Sequence, residues 1–210
     1  MSKLVLAYID VVLPLRASMS SEMMIVGAIG GVILLITLIW FFSTYNRLVR
    51  LRENVNQAWS NIDVLLTQRY EMLPNLAKIV KSYATHEKEL FEKFAAARQM
   101  AAGALQQGDV KGVSQAESAL SGMMPKIFAL SEAYPELKAD GNFAKLQDEL
   151  VSIENQVSDR REFFNASATN WNAGIAMIPT NIVAGFMGAV RRDLFEVENQ
   201  AARSAVVLDI

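Results

Sequence analysis

The sequence predicts an all-α protein: an N-terminal transmembrane helix that continues into an elongated antiparallel bundle of about four helices. Three observations predict it. A 20-residue stretch, "MMIVGAIGGVILLITLIWFF" (residues 23–42), carries no charge. Long runs beyond it repeat apolar residues at steps of three and four, the period of a helix with one buried face. Breakers are few, with five prolines in 210 residues, and Pro135 and Pro179 fall where one helix would hand over to the next. A chain that is 52% hydrophobic and 20% charged is too apolar to keep all of that surface away from lipid.

Residues 1–22 form a short N-terminal segment. Its "LVLAYIDVVLPL" is interrupted by Asp10 and Pro14 and is too short to span, so it is expected to lie in the membrane interface or to be a leader ahead of a start at Met19 or Met23. Residues 23–42 rise about 30 Å as a helix, the thickness of the hydrocarbon core. Trp40, Phe41, Phe42 and Tyr45 gather at one end, where amphipathic rings favour the headgroup level. No small-residue cleavage site follows, and the chain has no cysteine for lipidation; an uncleaved anchor is expected. Arg47, Arg50 and Arg52 follow the span, against Lys3 and Arg16 before it. That bias predicts an external N-terminus and a cytoplasmic bundle at a bacterial inner membrane.

The bundle is expected over residues 43–179. Its first helix carries Leu48, Leu51, Val55, Ala58, Ile62, Leu65, Arg69, Met72 and Leu76 as one seam, with no breaker separating it from the span. Pro74 removes a backbone donor, yet the pattern resumes at Ile79, Val80 and Tyr83 and runs on into "HEKELFEKFAAARQ". The proline is therefore read as bending the helix, not ending it. "QQGDVKG" is a turn punctuated by Gly108 and Gly112, and a helix from Val113 to Ala133 contains Pro125. "YPELKADGN" breaks it, and Gly141-Asn142 opens a last long helix with Leu146, Leu150, Ile153, Val157, Phe164, Ala168, Trp171, Ile175 and Ile178, ending at Pro179. Residues 180–210 are read as a helix or tail packed on the bundle, with a β-like final stretch.

Little in the chain suggests a reaction centre. Residues 1–42 contain Lys3, Arg16, Asp10 and Glu22, which cancel, so the body keeps the whole-chain net charge of −2. An acidic body without a basic stripe is a poor nucleic-acid binder. Without cysteine there is no thiol or zinc-thiolate chemistry, and no GK[ST] motif cradles a phosphate. His86, the single histidine, lacks a second imidazole one turn later, where Leu90 stands; with Glu87 it reads as a helix-surface or inter-helix polar pair. Asp63, Glu71, Glu132 and Glu154 are candidates to converge on Arg69, Arg160 and Arg161. One histidine cannot supply the two Glu-x-x-His pairs of a di-iron bundle, so an ion-pair network that sets helix register is expected. Asn165 and Asn172, seven apart on one helix face, are read as inter-helix or capping amides. The structural polar candidates are thus Asp63, Arg69, Glu132, Glu154, Arg161 and Asn165, with no catalytic, cofactor or metal residue. Gly27, Gly30 and Gly31 in the span permit close helix approach.

With these stretches laid out, the chain resembles the LemA family. "YNRLV", "AWSNIDVLLTQRYEMLPNL" with "YATHE", "AYPELKADGNFAKLQDELVSIENQVSDRREFFN" and "NWNAGIAMIPTNIVAGFMG" carry the resemblance in that order. It implies an anchored helical bundle with a short external N-terminus, and it implies no reaction. Phe164 and Trp171 stand where the family commonly has tyrosine, which removes two hydroxyls. The N-terminal extension is reminiscent of the MamQ-like branch, which serves magnetosome membrane formation, and an ordinary member of the family stays open beside it. The expected function is a non-enzymatic, self-associating scaffold on the lipid bilayer. An adaptor for a membrane protease or transporter is the alternative, and a carboxylate metal bundle a more remote one.

Overall fold

The computed structural model describes residues 2–195, with side-chain surroundings from Met23 onward. Among them, α1 (Ser2–Tyr83) is one continuous helix of 82 residues, a rod about 120 Å long. α2 (Lys88–Gln106) packs on α1 and on α3 (Val110–Ala133), α5 (Gly141–Ala176) packs along the C-terminal half of α1, and α4 (Pro135–Lys138) and α6 (Thr180–Phe186) are short. No break falls at residue 22 or at residue 42, so the N-terminal segment, the apolar stretch and the first bundle helix share one backbone. The interfacial placement of "LVLAYIDVVLPL" falls on side chains outside the described set, and the β-like tail lies outside the described residues.

The two parts of α1 differ in environment. From Met23 to Ile39 every side chain is exposed, with Ile25 at 59% and Leu34 at 61%. Thr37 Oγ1 donates to the Ile33 carbonyl at 2.8 Å, so its hydroxyl is satisfied inside the helix. Among the described residues, the helix that begins with this stretch is the one long and apolar enough to cross a membrane. From Leu48 the helix enters the core, where Leu48, Val55, Ala58, Ile62, Leu66, Tyr70, Leu73, Leu76 and Val80 are buried. The sequence seam named Leu65 and Met72, which are only half-buried, in place of Leu66 and Leu73. Strict alternation of threes and fours averages 3.5 residues per turn, whereas a straight helix has 3.6, so the extrapolated stripe drifts off the true one.

α1 runs through Pro74 without ending. A proline cannot donate to the carbonyl four residues back, here Tyr70. Arg98 Nε on α2 supplies the missing donor, 2.9 Å from the Tyr70 carbonyl. The rod stops at Tyr83, earlier than the helical pattern through "HEKELF" suggested, and residues 84–87 form the turn into α2. His86 is exposed in that turn, which corrects its expected place on a helix surface. α3 starts at Val110, so Gly112 lies inside its first turn and not in the connection.

α5 begins at Gly141, as expected, and Asp140 before it is the cap. Its Oδ1 accepts from Asn142 N at 2.8 Å and Phe143 N at 3.2 Å, the geometry of an N-cap. The Tyr83 hydroxyl donates to the same carboxylate at 3.1 Å, tying the end of α1 to the start of α5. The two helices run antiparallel: Trp59 packs on Phe164 at 5.6 Å between ring centroids, and further along, a Cβ at Gly174 would lie 3.0 Å from Leu51 Cδ1. A glycine there lets the helices close together. α5 ends at Ala176, and Ile178, expected on the buried stripe, is 85% exposed.

Candidate functional site

The polar centre of the bundle joins α1, α3 and α5 around Glu117. Glu117 is fully buried, and Arg69 is 2% exposed. Arg69 Nη1 donates to Glu117 Oε2 at 2.5 Å, and Arg161 Nη2 donates to the same oxygen at 2.8 Å. The Tyr70 hydroxyl donates to Oε1 at 2.7 Å. On the far side of Arg69, Glu154 Oε2 lies 2.7 Å from Nη1 as an ion pair without an aligned hydrogen bond. Ser121 Oγ donates to Glu154 Oε1 at 3.3 Å.

Two arginines thus answer two carboxylates, and charge balances within the cluster. Both oxygens of Glu117 accept hydrogen bonds, and the side chain is fully buried. Burial first, then the Glu117 charge and hydrogen bond, push the Tyr70 phenol far above the ordinary tyrosine range, so it stays protonated as a donor. A one-turn slip of any of the three helices would leave a buried charge unpaired, at a cost of about 3–5 kcal/mol. Beside the cluster, α3 and α5 leave a cleft of about 210 Å³ over Arg69 and Glu154, walled by Met124, Pro125, Phe128, Leu150 and Val151. Small-molecule sites usually begin near 300 Å³.

The sequence candidates divide. Arg69, Glu154 and Arg161 come together. Asp63 and Glu71 bond to none of these groups, and Glu71 and Arg160 are exposed. Glu132 is exposed and pairs instead with Lys138 at 2.9 Å. Among the described residues, no group of three or more His, Asp or Glu side chains is arranged to hold a metal ion. Sequence reasoning missed Glu117, Tyr70 and Arg98. The signal for Glu117 was available, because it sits in phase with Val113, Leu120 and Met124 on the buried stripe of α3.

Asn165 belongs to a different device, a strap that holds the chain after α6 along α5. Gly188 turns the backbone with φ +60, and Ala189 N donates to the Ala184 carbonyl at 3.0 Å, closing α6 in a Schellman turn. Trp171 Nε1 then donates to the Val190 carbonyl at 2.8 Å. Asn172 exchanges two hydrogen bonds with the Arg192 backbone, each 2.8 Å. Asn165 does the same with Phe195, at 2.8 and 3.0 Å. A spacing of seven on the helix matches three residues of extended chain, about 10 Å in either case. Phe195 ends in an aromatic cluster, 5.9 Å from Trp59 and 5.6 Å from Phe164 between centroids, with the Arg161 guanidinium 5.3 Å above its ring. Phe164 therefore needs no hydroxyl, and at Trp171 the indole N–H supplies the donor.

Known proteins resemble the chain over most of its length. Magnetosome protein MamQ 2 of Paramagnetospirillum magneticum is 26% identical over a 192-residue alignment that covers 79% of this chain and 71% of that protein. Magnetosome protein MamQ of Magnetospirillum gryphiswaldense is 24% identical over 187 residues, covering 76% and 69%. The LemA family model matches residues 58–209, which include the Arg69–Glu117–Arg161 cluster and the asparagine strap, and the chain belongs to the LemA family.

Proposed function

We propose that this protein is a membrane-anchored, non-enzymatic helical scaffold that self-associates and organises membrane or partner proteins. One observation carries the reading: a single unbroken helix contains both the exposed apolar stretch from Met23 and the buried seam of the bundle. Such a helix transmits position rigidly from a bilayer to a folded body. The polar cluster supports the same reading, since its charges balance and Glu117 is held by Arg69, Arg161 and Tyr70. The likeness to magnetosome proteins supports work on a membrane being shaped. The arginines after the span favour a bacterial inner membrane with the bundle in the cytoplasm. Tethering copies in two dimensions raises their effective concentration and favours self-association.

The test is fractionation followed by imaging of the full-length protein in mild detergent. The scaffold reading expects a membrane fraction that resists alkaline carbonate, and particles containing several copies as rings, cages or filaments. Release by carbonate would overturn the anchor. Monodisperse monomers would favour the adaptor reading over the scaffold.

A further inference from the structure

The corner between α5 and α6 is the least protein-like surface of the bundle. Met177 is 58% exposed, Ile178 85%, Ile182 57% and Phe186 79%. The opposite side of α6 buries Val183 and Ala184, so the helix shows one apolar face to the core and another to its surroundings. From Phe163 to Val190 the chain carries no charged residue. Four large apolar side chains at one corner are expensive in water, at about 25 cal/mol per Å² of exposed apolar area, and contiguous patches of this kind mark a contact.

The position of the corner identifies that contact. Trp59 faces Phe164, and Leu48 and Leu51 face Gly174. The same antiparallel register brings Met177 level with the region of Tyr45 and Arg47. α6 then turns further toward the apolar stretch, and the Phe186 ring lies 6.1 Å from that of Phe41. The corner therefore sits beside the aromatic end of the stretch, Trp40 to Tyr45, which is where a bilayer surface would fall. Arg47 and Arg50 are exposed immediately above it, placed to reach lipid phosphates.

We propose that the α5–α6 corner, Met177 to Phe186, is a second membrane contact, seated in the headgroup interface of the bilayer that α1 crosses. The inference rests on reading Met23–Phe42 as a span. Ile178, Ile182 and Phe186 enter the boundary between headgroups and acyl chains, about 5–10 Å deep as interfacial helices do. The bundle then stands on two points, and its tilt is set by the surface beneath it.

The absence of native cysteine allows a direct test. Single-cysteine variants I33C, I182C, F186C and M100C of the full-length protein carry an environment-sensitive fluorophore in vesicles of phosphatidylcholine and phosphatidylglycerol. Quenchers are placed shallow or deep on the lipid chains. The proposal expects strong loss of emission at Ile33 with the deep quencher, at Ile182 and Phe186 with the shallow one, and none at Met100, which is 69% exposed on α2. Emission at Ile182 and Phe186 matching Met100, with Ile33 quenched, overturns the second contact and leaves the span standing. No quenching at Ile33 sinks both. Crosslinking of I182C between copies, without lipid quenching, would assign the face to a second copy and overturn the proposal as well.

Discussion

The exposed and buried halves of α1 differ in composition and live in opposite surroundings: residues 23–42 carry no charge, whereas residues 48–80 carry seven. Between Met23 and Ile39 apolar side chains point in every direction and all are exposed; between Leu48 and Val80 they are buried or half-buried along one side, with Val64 the exposed exception. Composition and angular distribution both tell the halves apart. An all-round apolar surface needs a surrounding apolar medium, whereas a stripe needs only neighbouring helices. The treatment of polar groups differs likewise. The exposed half has one, Thr37, satisfied by its own helix. The buried half contains a full charge, Arg69, satisfied only by other helices.

Removing that outside support should give the largest effect. Glu117→Ala leaves Arg69 and Arg161 without their shared carboxylate, and the bundle should lose about 3–5 kcal/mol in denaturant unfolding of the detergent-solubilised protein. A loss under about 1 kcal/mol would mean that the cluster does not hold the three helices in register. A matched pair of truncations sharpens the contrast. Leu73→Ala, fully buried, should cost about 2–5 kcal/mol, while Ile33→Ala should leave bundle unfolding unchanged. Equal losses would erase the distinction between the halves.

The smallest effect concerns the far end of the buried half, where Tyr83 meets Asp140. Backbone hydrogen bonds from Phe143 and Asn142 hold the Asp140 carboxyl below its ordinary value of 3.8. A depressed carboxylate contributes stability that is present above that ordinary value and lost as pH falls through the lower folded one. Asp140→Asn should therefore lower the thermal midpoint slightly at neutral pH and show a flatter acid limb. The gap to the parent protein should close in strong acid; a gap independent of pH would remove the charge from the explanation.

Much of the fold was legible, and the misses have specific causes. The apolar stretch, the helix through Pro74 and the last long helix could be read because period and composition are local properties. The seam drifted by one residue at Leu66 because a heptad rule was stretched over a straighter helix. Asp63, Glu71 and Glu132 were grouped with the arginines by charge, but which face each carboxylate occupies depends on packing that sequence spacing did not fix. Glu117 was passed over because "QAESAL" reads as solvated helix unless its phase is followed back from Leu120. The asparagine strap stayed hidden for another reason: the partners of Asn165 and Asn172 are backbone groups of Phe195 and Arg192, and a backbone leaves no mark in side-chain pattern. Arg98 eluded reading in the same way, as its partner is the carbonyl that Pro74 sets free.

The unbroken stretch of α1 from Phe42 to Tyr83 also has a mechanical side. It is a continuous helical lever arm of about 60 Å. A tilt of about 10° at its base would sweep its tip sideways by about 10 Å. On the proposed reading, curvature or thickness of the bilayer would thus be converted into a change of spacing between neighbouring tips, with no joint needed in the protein itself.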